Sequence, residues 1–243
     1  MSYSIDVYRG EIKASRSFRD FLMYVSLFPQ LVAGPIVRYS QVQYQIENKK
    51  YQISSGLERF ILGLAKKILI ADSASFYADL MFDADPSQLT LVAAWVGIIA
   101  YTIQIYFDFS GYSDMAIGLG RIIGFQFPEN FQHPYTATSI QDFWRKWHIS
   151  LSTWFRDYLY IPLGGNRLGK ARTYLNQMIV FALCGLWHGA SWNFLVWGLF
   201  HGGMLTFEKK FSIRKTFLGK VLLARIYTMI LVMIGWVFSA PLT

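Results

Sequence analysis

The sequence predicts an all-α, polytopic membrane protein with broken or re-entrant helices and one amphipathic helix in the membrane interface. Composition is the first reason. Of 243 residues, 53% are hydrophobic and only 16% charged, against about 25% charged in soluble domains. The second reason is where the charges are missing. Asp, Glu, Lys and Arg are absent from 35 consecutive residues between Arg172 and Glu208, and from 22 between Asp85 and Asp108. They are also absent from 17 residues between Asp20 and Arg38, and from the 18 after Arg225. The third reason is an aromatic stripe at helical spacing in residues 140–160. The single cysteine, Cys184, excludes an internal disulfide framework and any multi-cysteine zinc site.

Residues 1–20 read as a polar, basic lead-in, and Met1–Lys13 has no apolar stretch of the kind a signal peptide needs. Residues 21–37 are apolar but contain Pro29, Gly34 and Pro35. An interior proline removes a hydrogen bond and kinks a helix, so a broken or re-entrant segment is expected. A bilayer-spanning helix needs about 20 mostly apolar residues, so residues 86–107 form one span. The stretch 54–71 is expected to cross outward before it, and the acidic residues Asp72, Asp79, Asp83 and Asp85 then lie outside. Lys66 and Lys67 fit such a crossing only by snorkelling, facing a protein cavity or lying at the interface.

Residues 108–127 continue the span through Gly111, Gly118, Gly120 and Gly124, which permit close helix packing. A turn-rich loop at 128–138 follows. Ser139, three residues before Asp142, makes a start of the capping-box kind. Residues 140–160, free of Pro and Gly, read as one helix whose Trp144, Trp147, His148, Leu151, Phe155 and Tyr158 share a face. Gly164, Gly165 and Asn166 make a turn. The 35-residue run would extend about 52 Å as one helix against a core of about 30 Å. Two passes with a break at Gly189, Ser191 and Asn193 fit better. Basic residues cluster on both sides of this run: Arg145, Lys146, Arg156, Arg167, Lys170 and Arg172 before it, and Lys209, Lys210, Arg214, Lys215 and Lys220 after it. That is the pattern of cytoplasmic loops, so both ends of the run lie on that side. The net charge of +8 is assigned to these loops and not to nucleic acid.

Of four histidines, His188 stands 16 residues into the uncharged run, where an ionisable group is costly and marks a functional site. A neutral imidazole accepts a proton, as a general base must; a histidine hydrogen-bonded between helices is the alternative. By spacing, His148 packs among tryptophans, His201 is structural or interfacial and His133 lies in a loop. Asp108 is either a helix-end carboxylate or a partner for a histidine or for Arg121. No His-Glu-x-x-His, cysteine pair, phosphate loop, dinucleotide fingerprint or Gly-x-Ser-x-Gly elbow is present.

Several long motifs resemble the membrane-bound O-acyltransferase family. They are Phe28–Ile36, Tyr106–Gly118, Pro128–Phe131, Asp142–Ser152 and the Trp187-His188-Gly189 triplet. Trp154–Arg167, and within it Pro162–Arg167, is similar to the alginate O-acetyltransferase branch in particular. The resemblance covers about residues 1–238. It implies an acyltransferase of the cell membrane, multi-pass, with His188 as catalytic histidine and His148 as second family histidine. Trp187, Gly189, Asp108, Trp144, Arg145 and Asn193 are the supporting residues. It implies no metal and no bound cofactor, acetyl-CoA as acyl donor, a polysaccharide acceptor, and a periplasmic or extracellular acyltransferase partner. It also implies that residues 1–243 are one membrane-embedded core of a longer protein, with further spans before residue 1 and after residue 243. D-alanyl transfer to teichoic acid by a related branch is one alternative. A transporter or flippase, or an inactive scaffold that docks a partner, is another.

Overall fold

The computed structural model describes residues 1–31, 33–85, 87–213, 217 and 219–240. Val32 of the apolar motif, Pro86 of the 22-residue run, Arg214 and Lys215 of the basic cluster, and residues 241–243 lie outside the described residues. Among the described residues every regular element is helical. The chain forms two compact units, one of residues 1–72 and 106–130, the other of residues 73–105 and 131–243.

The first unit opens with α1 (Ser2–Tyr8), so the polar lead-in is partly helical. Ser17 Oγ accepts from the Asp20 N–H at 3.2 Å and starts α2 (Phe18–Val25). The proline-bearing segment then makes only a short 3-10 turn, Phe28–Gln30, in keeping with the expected break. After α3 (Tyr39–Glu47), helix α4 (Ile53–Ala65) passes through a wide turn of i→i+5 hydrogen bonds, Lys66–Ala71, into α5 (Asp72–Phe82). The helical stretch therefore runs beyond the expected bounds of 54–71, to Phe82. No Pro or Gly lies between Gly63 and Asp85, so nothing stops the helix at residue 71, and Asp72 and Asp79 lie on it.

Helix α6 (Leu91–Ile122) is longer than the 86–107 span and starts later. It contains no proline, and its glycines pack against a neighbour. A Cβ on Gly118 would stand 2.6 Å from the Gly56 carbonyl oxygen, and one on Gly111 would stand 2.7 Å from that of Gly63. Gly111 and Gly118 of α6 thus each face a glycine of α4, and the backbones approach as small-residue pairs allow. Charges bind the same two helices. Arg59 donates to Asp114 at 2.6 and 2.9 Å and to Glu129 at 2.6 and 3.1 Å, and Lys66 reaches the other Asp114 oxygen at 2.6 Å. Lys67 bridges Asp72 and Asp108 at 2.9 and 2.7 Å. Lys66 and Lys67 thus face carboxylates. The apolar core of this unit gathers Tyr24, Val37, Tyr39, Val42, Ile117, Phe125 and Phe127.

In the second unit the single helix expected at 140–160 is three pieces. They are α7 (Ile140–Lys146), α8 (Ile149–Phe155) and a wide turn at Arg156–Tyr160. The break is at Trp147, which is extended, and at His148, which takes the left-handed conformation (φ 44°, ψ 56°). The start matches its sequence signature, because Ser139 Oγ accepts from the Asp142 N–H at 3.0 Å and Asp142 accepts from the Thr138 N–H. The 35-residue run splits as expected into α9 (Gly169–His188) and α10 (Trp192–Lys210), joined by residues 189–191. Gly185 and Gly198 lie against each other's helix and let the pair close tightly. Helix α11 (Val221–Ser239) follows. Among the described residues two helices, α6 and α11, are long and apolar enough to cross a membrane. Outward-facing Leu222, Leu223, Ile226 and Ile230 give α11 an apolar surface.

Gly118→Val is expected to destabilise the first unit by about 1–3 kcal/mol, the usual cost of overpacking. Gly203→Ala, with open space around its Cβ on α10, should be neutral or stabilising by up to about 1 kcal/mol. Thermal unfolding of the detergent-solubilised protein measures both.

Candidate active site

The site is built on α10. Its Trp197 is 3% exposed and its His201 0%; one turn apart on the same face, they pack at 5.2 Å between ring centroids. Trp144 of α7 meets Trp197 at 5.6 Å and His201 at 5.1 Å, both edge-on. Trp236 of α11 lies at 6.3 Å from Trp197 and 4.9 Å from Trp147. His188, the last residue of α9, sets its ring 5.1 Å from Trp197 and stacks on Phe194 at 6.2 Å. Such offset and edge-to-face pairs add about 0.5–1.5 kcal/mol each beyond burial.

The α9–α10 reversal decides where the histidines fall. Because the chain turns back at Gly189, Trp197 contacts both His188 and His201. Gly189 is extended (φ 177°, ψ 143°), and a Cβ there would strike the Phe194 ring that stacks on His188. A larger residue would therefore displace the floor under the imidazole.

His148, 4% exposed, stacks on Phe131 at 6.5 Å. Burial pulls its imidazole down to about 3, and the His188 imidazole close by adds to the depression. His148 is thus neutral at physiological pH and electrostatically coupled to His188. A left-handed non-glycine residue costs about 1–2 kcal/mol; the packing of Trp147 on Phe143, Phe131 and Trp236 holds it there.

The structure therefore brings together His188, His148 and Trp144 of the sequence-predicted set. Trp187 packs edge-on against His188 at 4.9 Å but is 57% exposed. Asn193 is exposed in the first turn of α10. Arg145 is exposed and lines a cavity of about 450 Å³ together with Trp144, Cys184, Gln177, Asn166 and Lys209. Asp108 belongs to the first unit; it lies inside α6, not at a helix end, and its recorded cation is Lys67. Trp197, Trp236 and Glu208 were not singled out by sequence reasoning. The Trp197–His201 pair, spaced i, i+4 within an uncharged helix, was the available signal.

His133 is exposed in its loop. His201 is fully buried, and neither ring nitrogen has a hydrogen-bond partner among the described residues.

Known proteins resemble this chain along most of its length. The model of the membrane-bound O-acyltransferase family matches residues 9–238. A protein described as a probable alginate O-acetylase, from Pseudomonas syringae pv. tomato, is 49% identical over 240 residues, covering 98% of this chain and 46% of its own length. A peptidoglycan O-acetyltransferase of Helicobacter pylori is 46% identical over 230 residues, covering 91% and 44%. A teichoic acid D-alanyltransferase of Bacillus subtilis is 28% identical over 219 residues, covering 82% and 55%. The chain spans about half the length of these relatives.

Asparagine tolerates the left-handed region and a β-branched residue does not. His148→Val should therefore lower stability by about 1–2 kcal/mol more than His148→Asn. Paired thermal melts of the two variants give the difference.

Proposed function

The chain belongs to the membrane-bound O-acyltransferase family, and on that premise we propose that it carries the core of an O-acetyltransferase acting on hydroxyls of an exported polysaccharide. The observation that carries this reading is the buried, neutral His148 under the electrostatic influence of His188, on helices whose Trp144 and Cys184 also line a cavity with Arg145 and Lys209 in its wall. His188 takes the proton of an acceptor hydroxyl, or of a carrier's nucleophile. The freed oxygen or nucleophile attacks the acetyl carbonyl carbon, the thioester C–S bond breaks, and the departing thiolate takes up a proton. His148 orients the acceptor. General-base help of this kind supplies about 10²–10⁴-fold in rate.

Acetyl-CoA is the donor. Arg145 and Lys209 stand at the cavity with no carboxylate partner among the described residues, and suit a phosphate-bearing ligand. The walls from Val180, Phe181, Cys184 and Leu205 are apolar. The basic loops place this mouth on the cytoplasmic side. In the plasma membrane α6 and α11 span, and the α9–α10 hairpin breaks within the bilayer at a turn that this chain leaves exposed at 190–193, so further protein or water must cover it. A periplasmic or extracellular acyltransferase receives the acetyl group. Acetyl rather than D-alanyl transfer is supported by 46–49% identity to O-acetylating relatives against 28% to the D-alanyltransferase.

In the complete protein, His188→Ala is expected to leave membrane insertion intact and to reduce labelled acetyl transfer from acetyl-CoA at least a hundredfold. Unchanged transfer would remove His188 from the mechanism. The double change Arg145→Glu with Lys209→Glu should raise the KM for acetyl-CoA about tenfold, or about 1.4 kcal/mol, with kcat nearly unchanged. Initial rates at varied donor concentration test this.

A further inference from the structure

We infer that Glu208 is a positioning residue that hangs the His148-bearing segment from α10. This rests on the acyl-transfer reading above. Glu208 lies in the last turn of α10 and is 8% exposed. Its two carboxylate oxygens accept from the Ile140 backbone N–H at 2.9 and 3.1 Å. Ile140 is the first residue of α7, whose own cap, Ser139, serves a different N–H, that of Asp142. The carboxylate therefore satisfies an otherwise orphaned donor and sets negative charge against the positive end of the helix.

The consequence runs along α7. Eight residues beyond Ile140 stands His148, and midway stands Trp144, whose ring meets Trp197 and His201 of α10. Trp197 in turn meets His188. From Glu208 to Trp197 is 11 residues of α10, about 16 Å. Helix α10 thus holds α7 at two points, a charged hydrogen bond at its start and an edge-on indole contact near its end. With both in place, the left-handed residue that follows is held beside His188. With the first lost, α7 can pivot on Trp144, and His148 moves while the cavity walls from α9 and α10 stay.

Glu208→Gln keeps one acceptor and loses the charge; Glu208→Leu keeps bulk and loses both. In the complete protein, kcat for acetyl transfer should fall in the order Glu, Gln, Leu, by about tenfold for Gln and about a hundredfold for Leu. The KM for acetyl-CoA should rise less than in the Arg145→Glu, Lys209→Glu protein, because Arg145 rides on α7 while Lys209 stays on α10. Amide exchange measured by mass spectrometry should rise at least tenfold in peptides covering 139–148 and stay unchanged in α9 and α11. Wild-type kcat in Glu208→Leu, or unaltered exchange at 139–148, overturns the assignment. So does exchange that rises equally through α9, α10 and α11, since the residue would then only stabilise the unit. If Glu208→Leu does not fold, Glu208→Gln is judged by the same criteria. A wild-type protein that transfers no acetyl refutes the acyl-transfer reading instead, and the exchange data still decide whether Glu208 anchors α7.

Discussion

At the indole of Trp197, rings from four helices converge. His188 comes from α9, His201 from α10 itself, Trp144 from α7 and Trp236 from α11. Aromatic rings are stiff and fill space with few rotamers, so such a joint fixes angles as well as distances. It also explains why so polar a set of atoms sits in so apolar a place. The indole N–H groups of Trp144, Trp197 and Trp236 and both nitrogens of His201 have no protein partner among the described residues. Each such group costs about 1–3 kcal/mol, and the unit retains them because the ring geometry depends on these side chains.

The joint constrains the chain on either side of it. The left-handed residue between α7 and α8 is possible because Trp147 is held by Phe143, Phe131 and Trp236, and the start of α7 is held by a carboxylate 68 residues away in sequence. His188 and His148 stand at a helix end and at a break between helices, the two places where a helix leaves side chains free of its own regular stacking. Strain of this kind gathers at functional sites when the surroundings over-determine it.

Much of this was legible from residue order. Charge gaps located α6, the α9–α10 pair and α11, and the small-residue turn at Gly189 marked the reversal. His188 stood out because a titratable group in an uncharged run needs a reason. What residue order missed was tertiary. The aromatic stripe from Trp144 to Tyr158 has helical spacing, and nothing local forbids a continuous helix; only the packing of Trp147 turns His148 over. Asp108 reads as a helix-end group because a charge ends the apolar run, yet α6 continues around it once Lys67 supplies a counter-charge. Gly56 and Gly63 gained their meaning only when Gly118 and Gly111 were found opposite them.

The wide turn at Lys66–Ala71 has a bearing on chain length. A turn closed by i→i+5 bonds holds one residue more than an α-helical turn. Through it, Lys66 reaches Asp114 and Lys67 reaches Asp108, six positions apart on α6, while Arg59 still meets Asp114 from about two turns earlier. Adjacent residues of an α-helix diverge by about 100°, so neighbouring lysines reach different carboxylates of α6 through their long side chains and the local widening of the helix. Removing one residue between 66 and 71 would shift Asp72 against Lys67, with which it pairs at 2.9 Å. The spacing from Arg59 to Asp72 is therefore as much a part of this protein's specification as the charges themselves.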